Sequence, residues 1–241
     1  MSWRPLVGWV VDVQRDFMDP DGRLYVHDLF DPADAGATLA RGRIIRTVRW
    51  LREHGDAVVF TGDWHALGDR EIDPVAPDAA KGTYPPHCMG LSVDEDERRG
   101  ALLIPEIDPG DDLLVLPRDA TAEQARDVAR RAVHEKRPVF VQKREFSVFE
   151  GNPATDPFLA ALADALGAAP RVIVCGVATD VCVRHAVEAF LDRGVDVDVV
   201  RDATWGLGLL DDTRTFDTWR SRGARETTIE ELSSATSPKD A

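Results

Sequence analysis

Cys182 stands in the segment Gly176-Val177-Ala178-Thr179-Asp180-Val181-Cys182, just after the apolar run Arg171–Val177. A thiol placed where a buried strand gives way to a helix feels the positive end of the helix dipole. That lowers its pKa and favours the nucleophilic thiolate. Backbone N–H groups at the same turn could hold the charge that develops on a carbonyl oxygen under attack. The plainer alternative is a small buried hydrophobe, the usual fate of a free cysteine. Lys143 ends the run Pro138–Lys143, either as a solvated strand end or as a buried cation beside a thiolate. Asp12 lies at the end of the apolar run that begins at Leu6. A carboxylate buried there needs a partner, and its roles range from a cap or ion pair to a general base and acid beside a thiol. Asp63 and His65 are one residue apart, and His87 follows in Pro85-Pro86-His87-Cys88. These ligand types suit Zn²⁺ or another first-row divalent ion such as Fe or Mn; a hydrogen-bonded loop pair is the alternative.

Such residues act together only if the fold gathers them. Leu6–Val13, Ala57–Thr61, Leu113–Leu116, Pro138–Lys143, Arg171–Val177, Val195–Val200 and Thr227–Ile229 read as strands, and several are apolar enough to be buried on both faces. Helical periodicity appears in Leu39–His54, in the segment from Thr121 to about Glu135, in Asp156–Leu166, and in the segments ending near Asp192 and Arg222. Thr121 with Gln124 resembles a capping box, and Thr179 or Asp180 is the expected cap of the helix after Arg171–Val177. Strands alternating with helices predict a single-domain three-layer α/β/α architecture with a mainly parallel central sheet. In such sheets ligands sit beyond the carboxyl ends of the strands, where Asp12, Asp63, Lys143 and Cys182 all fall. Residues 66–99, rich in Pro, Gly and Asp, form a long segment of weak periodicity, a length usually tied to function. The domain is expected to span residues 1–232, with a flexible polar tail over 233–241.

Composition narrows the classes. The formal charge of −14 over 241 residues opposes binding to nucleic acid, which needs clustered Lys and Arg. No apolar run reaches the roughly 20 residues of a bilayer span, and the first residues lack the features of a signal peptide. The expectation is a cytoplasmic chain whose three cysteines, Cys88, Cys175 and Cys182, are reduced. A thiol redox role for Cys175 and Cys182 is disfavoured by their spacing and by the mid-strand position of Cys175.

The blocks Asp12-Val13-Gln14-Arg15-Asp16-Phe17, Asp63-Trp64-His65, Pro85-Pro86-His87-Cys88, Lys143 and Gly176–Val183 together resemble the nicotinamidase/isochorismatase-like cysteine hydrolases in order and spacing. The resemblance runs from the first strand to Asp202. It implies the isochorismatase-like hydrolase fold and a catalytic triad of Asp12, Lys143 and Cys182. It also implies a cis peptide between Val177 and Ala178, and an oxyanion hole from the N–H groups of Ala178 and Cys182. Its metal would be held by Asp63, His65 and His87 with a fourth ligand. Many members carry a second histidine where this chain has Asp69; others use a glutamate just downstream, which Glu71 matches. The chain also has extra residues, Asp73 to Gly82, before the Pro-Pro-His turn.

Phe17 and Tyr84 match family positions that flank a flat substrate ring, Trp64 and Phe149 are further aromatic candidates, and Trp205–Gly208 could close the rim. The resemblance implies an amidohydrolase acting on a small amide, with nicotinamide, cleaved to nicotinate and ammonia, the leading candidate. The alternatives are a ureido or carbamoyl hydrolase, a hydrolase of an isochorismate-like substrate, and a non-catalytic metal-binding member. Family members also form homo-oligomers, so self-association is a further expectation.

Overall fold

The computed structural model describes residues 4–234. Its sheet has seven strands: β1 (Leu6–Val11), β2 (Ala57–Asp63), β3 (Leu114–Leu116), β4 (Val139–Lys143), β5 (Arg171–Val177), β6 (Asp196–Trp205) and β7 (Arg225–Thr227). They lie in the order β3-β4-β2-β1-β5-β6-β7, and every neighbouring pair is parallel. The sheet is therefore wholly parallel rather than mainly so. The helices are α1 (Arg15–Met18), α2 (Thr38–His54), α3 (Glu95–Gly100), α4 (Ala122–Glu135), α5 (Val148–Gly151), α6 (Thr155–Leu166), α7 (Arg184–Asp192), α8 (Asp212–Ser221) and α9 (Ile229–Ser234).

Two adjacent residues of β1 show that helices cover both faces. Successive strand side chains point to opposite faces. A Cβ on Gly8 would stand 2.7 Å from Leu51 of α2, whereas Trp9 meets Phe190 of α7 edge-on at 4.9 Å. The helices α2 and α7 thus lie on opposite sides, and the three-layer expectation holds. The continuous burial of β2 and β5 follows from that double cover.

Local chemistry explains the boundaries. α4 opens with the capping box foreseen for Thr121 and Gln124, both of its bonds being made. β1 stops at Val11 because Asp12 turns into the left-handed region at φ 52°. The expected helix after β5 does not begin on a Thr179 or Asp180 cap. Residues 179–183 form a wider π-helical turn that precedes α7 and has no side-chain cap, because Asp180 points elsewhere: its carboxylate accepts the backbone N–H groups of Leu207 (2.9 Å) and Leu209 (2.7 Å). The strand expected at Thr227–Ile229 lies slightly earlier, over Arg225–Thr227, and Ile229 instead starts α9. Ser233 and Ser234 of the expected tail belong to α9; residues 235–241 lie outside the described residues. Among the described residues no helix is long and apolar enough to cross a membrane.

Candidate active site

Four neighbouring strands, β4-β2-β1-β5, deliver four reactive side chains to one rim. Asp63 and Lys143 end β2 and β4 as register partners, Asp12 follows β1, and Cys182 sits one turn past β5. All four are buried. Lys143 is the hub. Its Nζ lies 2.9 Å from Asp12 Oδ2 and 3.6 Å from Cys182 Sγ, and it also donates to Asp63 Oδ1. The other oxygen of Asp12 accepts from Thr61 Oγ1 at 2.7 Å, which fixes the carboxylate plane toward the lysine.

The Asp12–Phe17 block places much of this. Gln14, buried, donates from Nε2 to the carbonyl of Asp63 (2.8 Å) and of Ala101 (2.7 Å), and accepts from Asp63 N–H at 2.8 Å. Asp16 accepts the Cys88 N–H at 2.7 Å, tying down the turn that carries His87. Phe17 packs against the His87 ring at 5.4 Å. One short motif thus supplies a carboxylate, two clamps and a wall.

Asp63 faces two ways. While Oδ1 meets Lys143, Oδ2 lies 3.8 Å from both His65 Nε2 and His87 Nε2. Glu71 Oε2 lies 3.8 Å from His65 Nε2. The ligand atoms of Asp63, His65 and His87 all lie within 4.8 Å of one another. Each imidazole has its Nδ1 engaged, His65 with Asp69 (3.3 Å) and His87 with the Pro85 carbonyl (2.7 Å), so both turn Nε2 into the cluster. His65 Nε2 and Glu71 Oε2 are buried without a hydrogen-bond partner. Buried polar atoms rarely stay unpaired, and two imidazole nitrogens among carboxylate oxygens are the donor set of a first-row divalent ion. The residues present fit such an ion.

The 66–99 segment reaches this cluster through one closure. Ile72 and Tyr84 form an isolated bridge; Tyr84 N–H donates to Glu71 O and Asp73 N–H to Tyr84 O, each at 2.8 Å. The extra residues 73–82 are therefore tied off at their base, and the closure sets Glu71 and Tyr84 side by side over the site.

Electrostatics assign the charges. Burial is the largest influence on every group here, and neighbouring charges decide the outcome. Asp12 ends above its ordinary value: burial and Asp63 raise it against the pull of Lys143. For Asp63, burial is overcome by Lys143 and by the two nearby imidazoles, which hold its carboxyl well below the usual range. Burial alone would strip the proton from Lys143, but Asp12 and Asp63 keep it firmly an ammonium. The expected depression of the Cys182 pKa does not occur. Burial pushes the thiol well above its usual value, and Asp12, Asp63 and Glu71 offset the help from Lys143.

A sequence profile of the isochorismatase domain matches residues 7–231. The chain belongs to that family. No curated protein matches it at a significant level. Among solved structures it is similar to a pyrazinamidase of Pyrococcus horikoshii in complex with zinc, at 28% identity and TM-score 0.60, over 92% of this chain and 98% of that one. It also shares its fold with an N-carbamoylsarcosine amidase from Thermoplasma acidophilum (23% identity, TM-score 0.61, 94% and 98% covered). A third neighbour is PnC1 from L. infantum in complex with nicotinate (21% identity, TM-score 0.63, 96% of each chain). As the resemblance implied, this member has a cis peptide between Val177 and Ala178.

Beside Cys182 this isochorismatase-family chain has a cavity of about 30 Å³, lined by Phe17, Leu24, Val26, Tyr84, Phe146, Val181 and Leu207, with Asp63, His87 and Ala178 at its edge. Phe17, Tyr84 and Leu207 line it. Trp64 and Phe149 do not: Trp64 packs on Phe140 at 5.9 Å, and Phe149 is sandwiched between Phe190 and the Arg193 guanidinium. Phe146 was not among the residues singled out by sequence. It stacks edge-on with Tyr84 at 5.9 Å, and its one signal was its place three residues past Lys143.

Proposed function

We propose that this chain hydrolyses a small amide through a thioester on Cys182, with nicotinamide the leading substrate. One observation carries the reading: a buried ammonium, Lys143, lies within 2.9 Å of Asp12 and 3.6 Å of Cys182. As sulfur attacks the carbonyl carbon, the thiol proton passes to Asp12, whose raised pKa suits a group that both takes and returns a proton. Lys143 stabilises the carboxylate before transfer and the sulfur anion during it. The N–H groups of Ala178 and Cys182 receive the oxyanion. Asp12 then protonates the departing nitrogen, ammonia leaves, and an acyl thioester remains. Water, deprotonated by Asp12, attacks the thioester; the acid product leaves and the Cys182 thiol is restored.

Asp63, His65, Glu71 and His87 would hold a divalent ion, zinc first and iron or manganese otherwise. When bound, it supplies a Lewis-acidic anchor that orients the substrate. Phe17 and Tyr84 would flank the substrate ring, an apolar slot suited to a flat heteroaromatic amide.

The test is ammonia release from nicotinamide, with N-carbamoyl amino acids alongside, and mass spectrometry of the acid-quenched enzyme. The expected result is turnover of nicotinamide and an acyl mass on the Cys182 peptide. Turnover confined to N-carbamoyl compounds would move the substrate class, and turnover without any acyl mass would remove the thioester.

A further inference from the structure

Asp69 occupies a position where a metal ligand would be expected, yet its carboxylate is committed elsewhere. It accepts from His65 Nδ1 (3.3 Å) and from the Ala66 N–H (2.9 Å). Both of its oxygens are also gripped by Arg118, one by Nη2 at 2.9 Å and the other by Nη1. The same Nη1 donates to the carbonyl of Trp64 at 2.7 Å, the residue between Asp63 and His65. Arg118 and Asp69 are largely buried, their side chains 13% and 11% exposed. A carboxylate so placed needs a matched cation, and the planar guanidinium fork supplies two parallel bonds. Arg118 is itself steadied from below. It follows β3, and Asn152 Nδ2 donates to the carbonyl of the preceding Pro117 (2.9 Å) and to that of Gln142 on β4 (2.8 Å).

We infer that Arg118 and Asp69 form a positioning relay that sets His65 for metal binding, replacing a ligand with a brace. The inference rests on the metal reading above. Asp69 meets the ring edge of His65 opposite Nε2. By accepting the Nδ1 proton it leaves the Nε2 lone pair free and aims it at the cluster of Asp63, Glu71 and His87. Arg118 holds the Asp69 carboxylate in place and grips the Trp64 peptide, fixing the spacing of Asp63 and His65. Ligand-orienting partners of this kind typically account for about 10- to 100-fold in metal affinity. The relay spans three separate segments, so a metal-binding turn that is otherwise a loop is braced against the strand layer.

The test measures the zinc dissociation constant of the folded full chain by competition with a chelator, together with the Tm of the metal-free protein and the visible spectrum of the cobalt(II) form. Asp69→Asn keeps the shape and removes the charge. It is expected to weaken zinc binding by about 10- to 100-fold, with a smaller loss in Arg118→Gln. Cobalt band positions should match the parent, because the ligand set is unchanged. A merely structural role would lower the metal-free Tm and spare the affinity. If both folded variants bind zinc within twofold of the parent, the relay is wrong; if the cobalt bands of Asp69→Asn shift, Asp69 is itself a ligand and the relay is again wrong. Should Asp69→Asn not fold, Arg118→Gln decides alone. A parent chain that binds no zinc overturns the metal reading itself, an outcome distinct from failure of the relay.

Discussion

The two ends of the sheet differ in a way that volume alone would misrepresent. At the amino end, a cleft of about 520 Å³ runs between α2, α4 and the starts of β2 and β4, lined by Arg52, Glu53, Glu135, Lys136 and Arg137 among others. At the carboxyl end the cavity beside Cys182 is about 30 Å³. The larger space holds charges that meet water and one another: Arg137 spans Glu135 and the carbonyls of Asp111 and Asp112. Beside the smaller one, Lys143, Asp12, Asp63 and Cys182 are buried out of water, where charges interact strongly and are poorly screened. Reactivity gathers where desolvation forces ionisable groups to rely on each other, and the roomy end lacks that compulsion.

Four experiments can break or sharpen this contrast. The largest effect should come from the carboxyl-end rim: Cys182→Ala and Asp12→Asn are each expected to cut ammonia release by about 10³-fold or more. Glu53→Gln and Arg52→Gln at the other end should stay within roughly twofold. Equal losses at both ends would erase the distinction. Next is Gly176, held at φ 121°, where a Cβ would stand 2.0 Å from the Val11 carbonyl oxygen. Gly176→Ala should cost about 3 kcal/mol or more in denaturant unfolding; a cost below about 1 kcal/mol would show that β1 and β5 can separate near the site.

The pH profile comes third. Asp12 must be ionised to take the thiol proton, and its pKa is raised by burial and by Asp63. Turnover should therefore fall about tenfold per pH unit on the acid side, beginning above the ordinary carboxylate range. An acid limb at or below that range would mean the base is another group. The smallest effect concerns two of the three described non-glycine residues in the left-handed region, Asp12 (φ 52°) and Lys136 (φ 53°). Lys136 ends α4 beside the amino-end cleft, so Lys136→Gly should raise stability by up to about 1 kcal/mol with turnover intact. At Asp12 the same conformation carries the candidate base and is not open to relief.

Much of this was readable in residue order because it is local or periodic. β5 announces itself as an uninterrupted apolar run, and Thr121 with Gln124 carries a cap chemistry that needs only its own turn. Asp12, Asp63, Lys143 and Cys182 were readable as neighbours because strand ends in a parallel sheet share one rim, while the choice of three among them came from the family resemblance. What stayed hidden depends on distant partners. Asp180 looks like a helix cap until the 207–209 backbone arrives to occupy it. Gln14 and Asp16 belong to a recognisable block, but their roles show only once they are seen clamping Asp63 and Cys88. Asp69 and Arg118 meet across 49 positions, and no spacing rule joins them. The pairing of Ile72 with Tyr84 lies inside a segment without periodicity, so neither propensity nor pattern marks it.

That pairing has a practical corollary. The stretch from Pro74 to Thr83 is tied at its base by the Ile72–Tyr84 bridge and packs on the core through Ala79, whereas Val75, 89% exposed, marks its outer side. A tag, a shorter turn or a foreign peptide grafted there would leave the base of the loop undisturbed, making it the natural insertion point for labelling or tethering the protein.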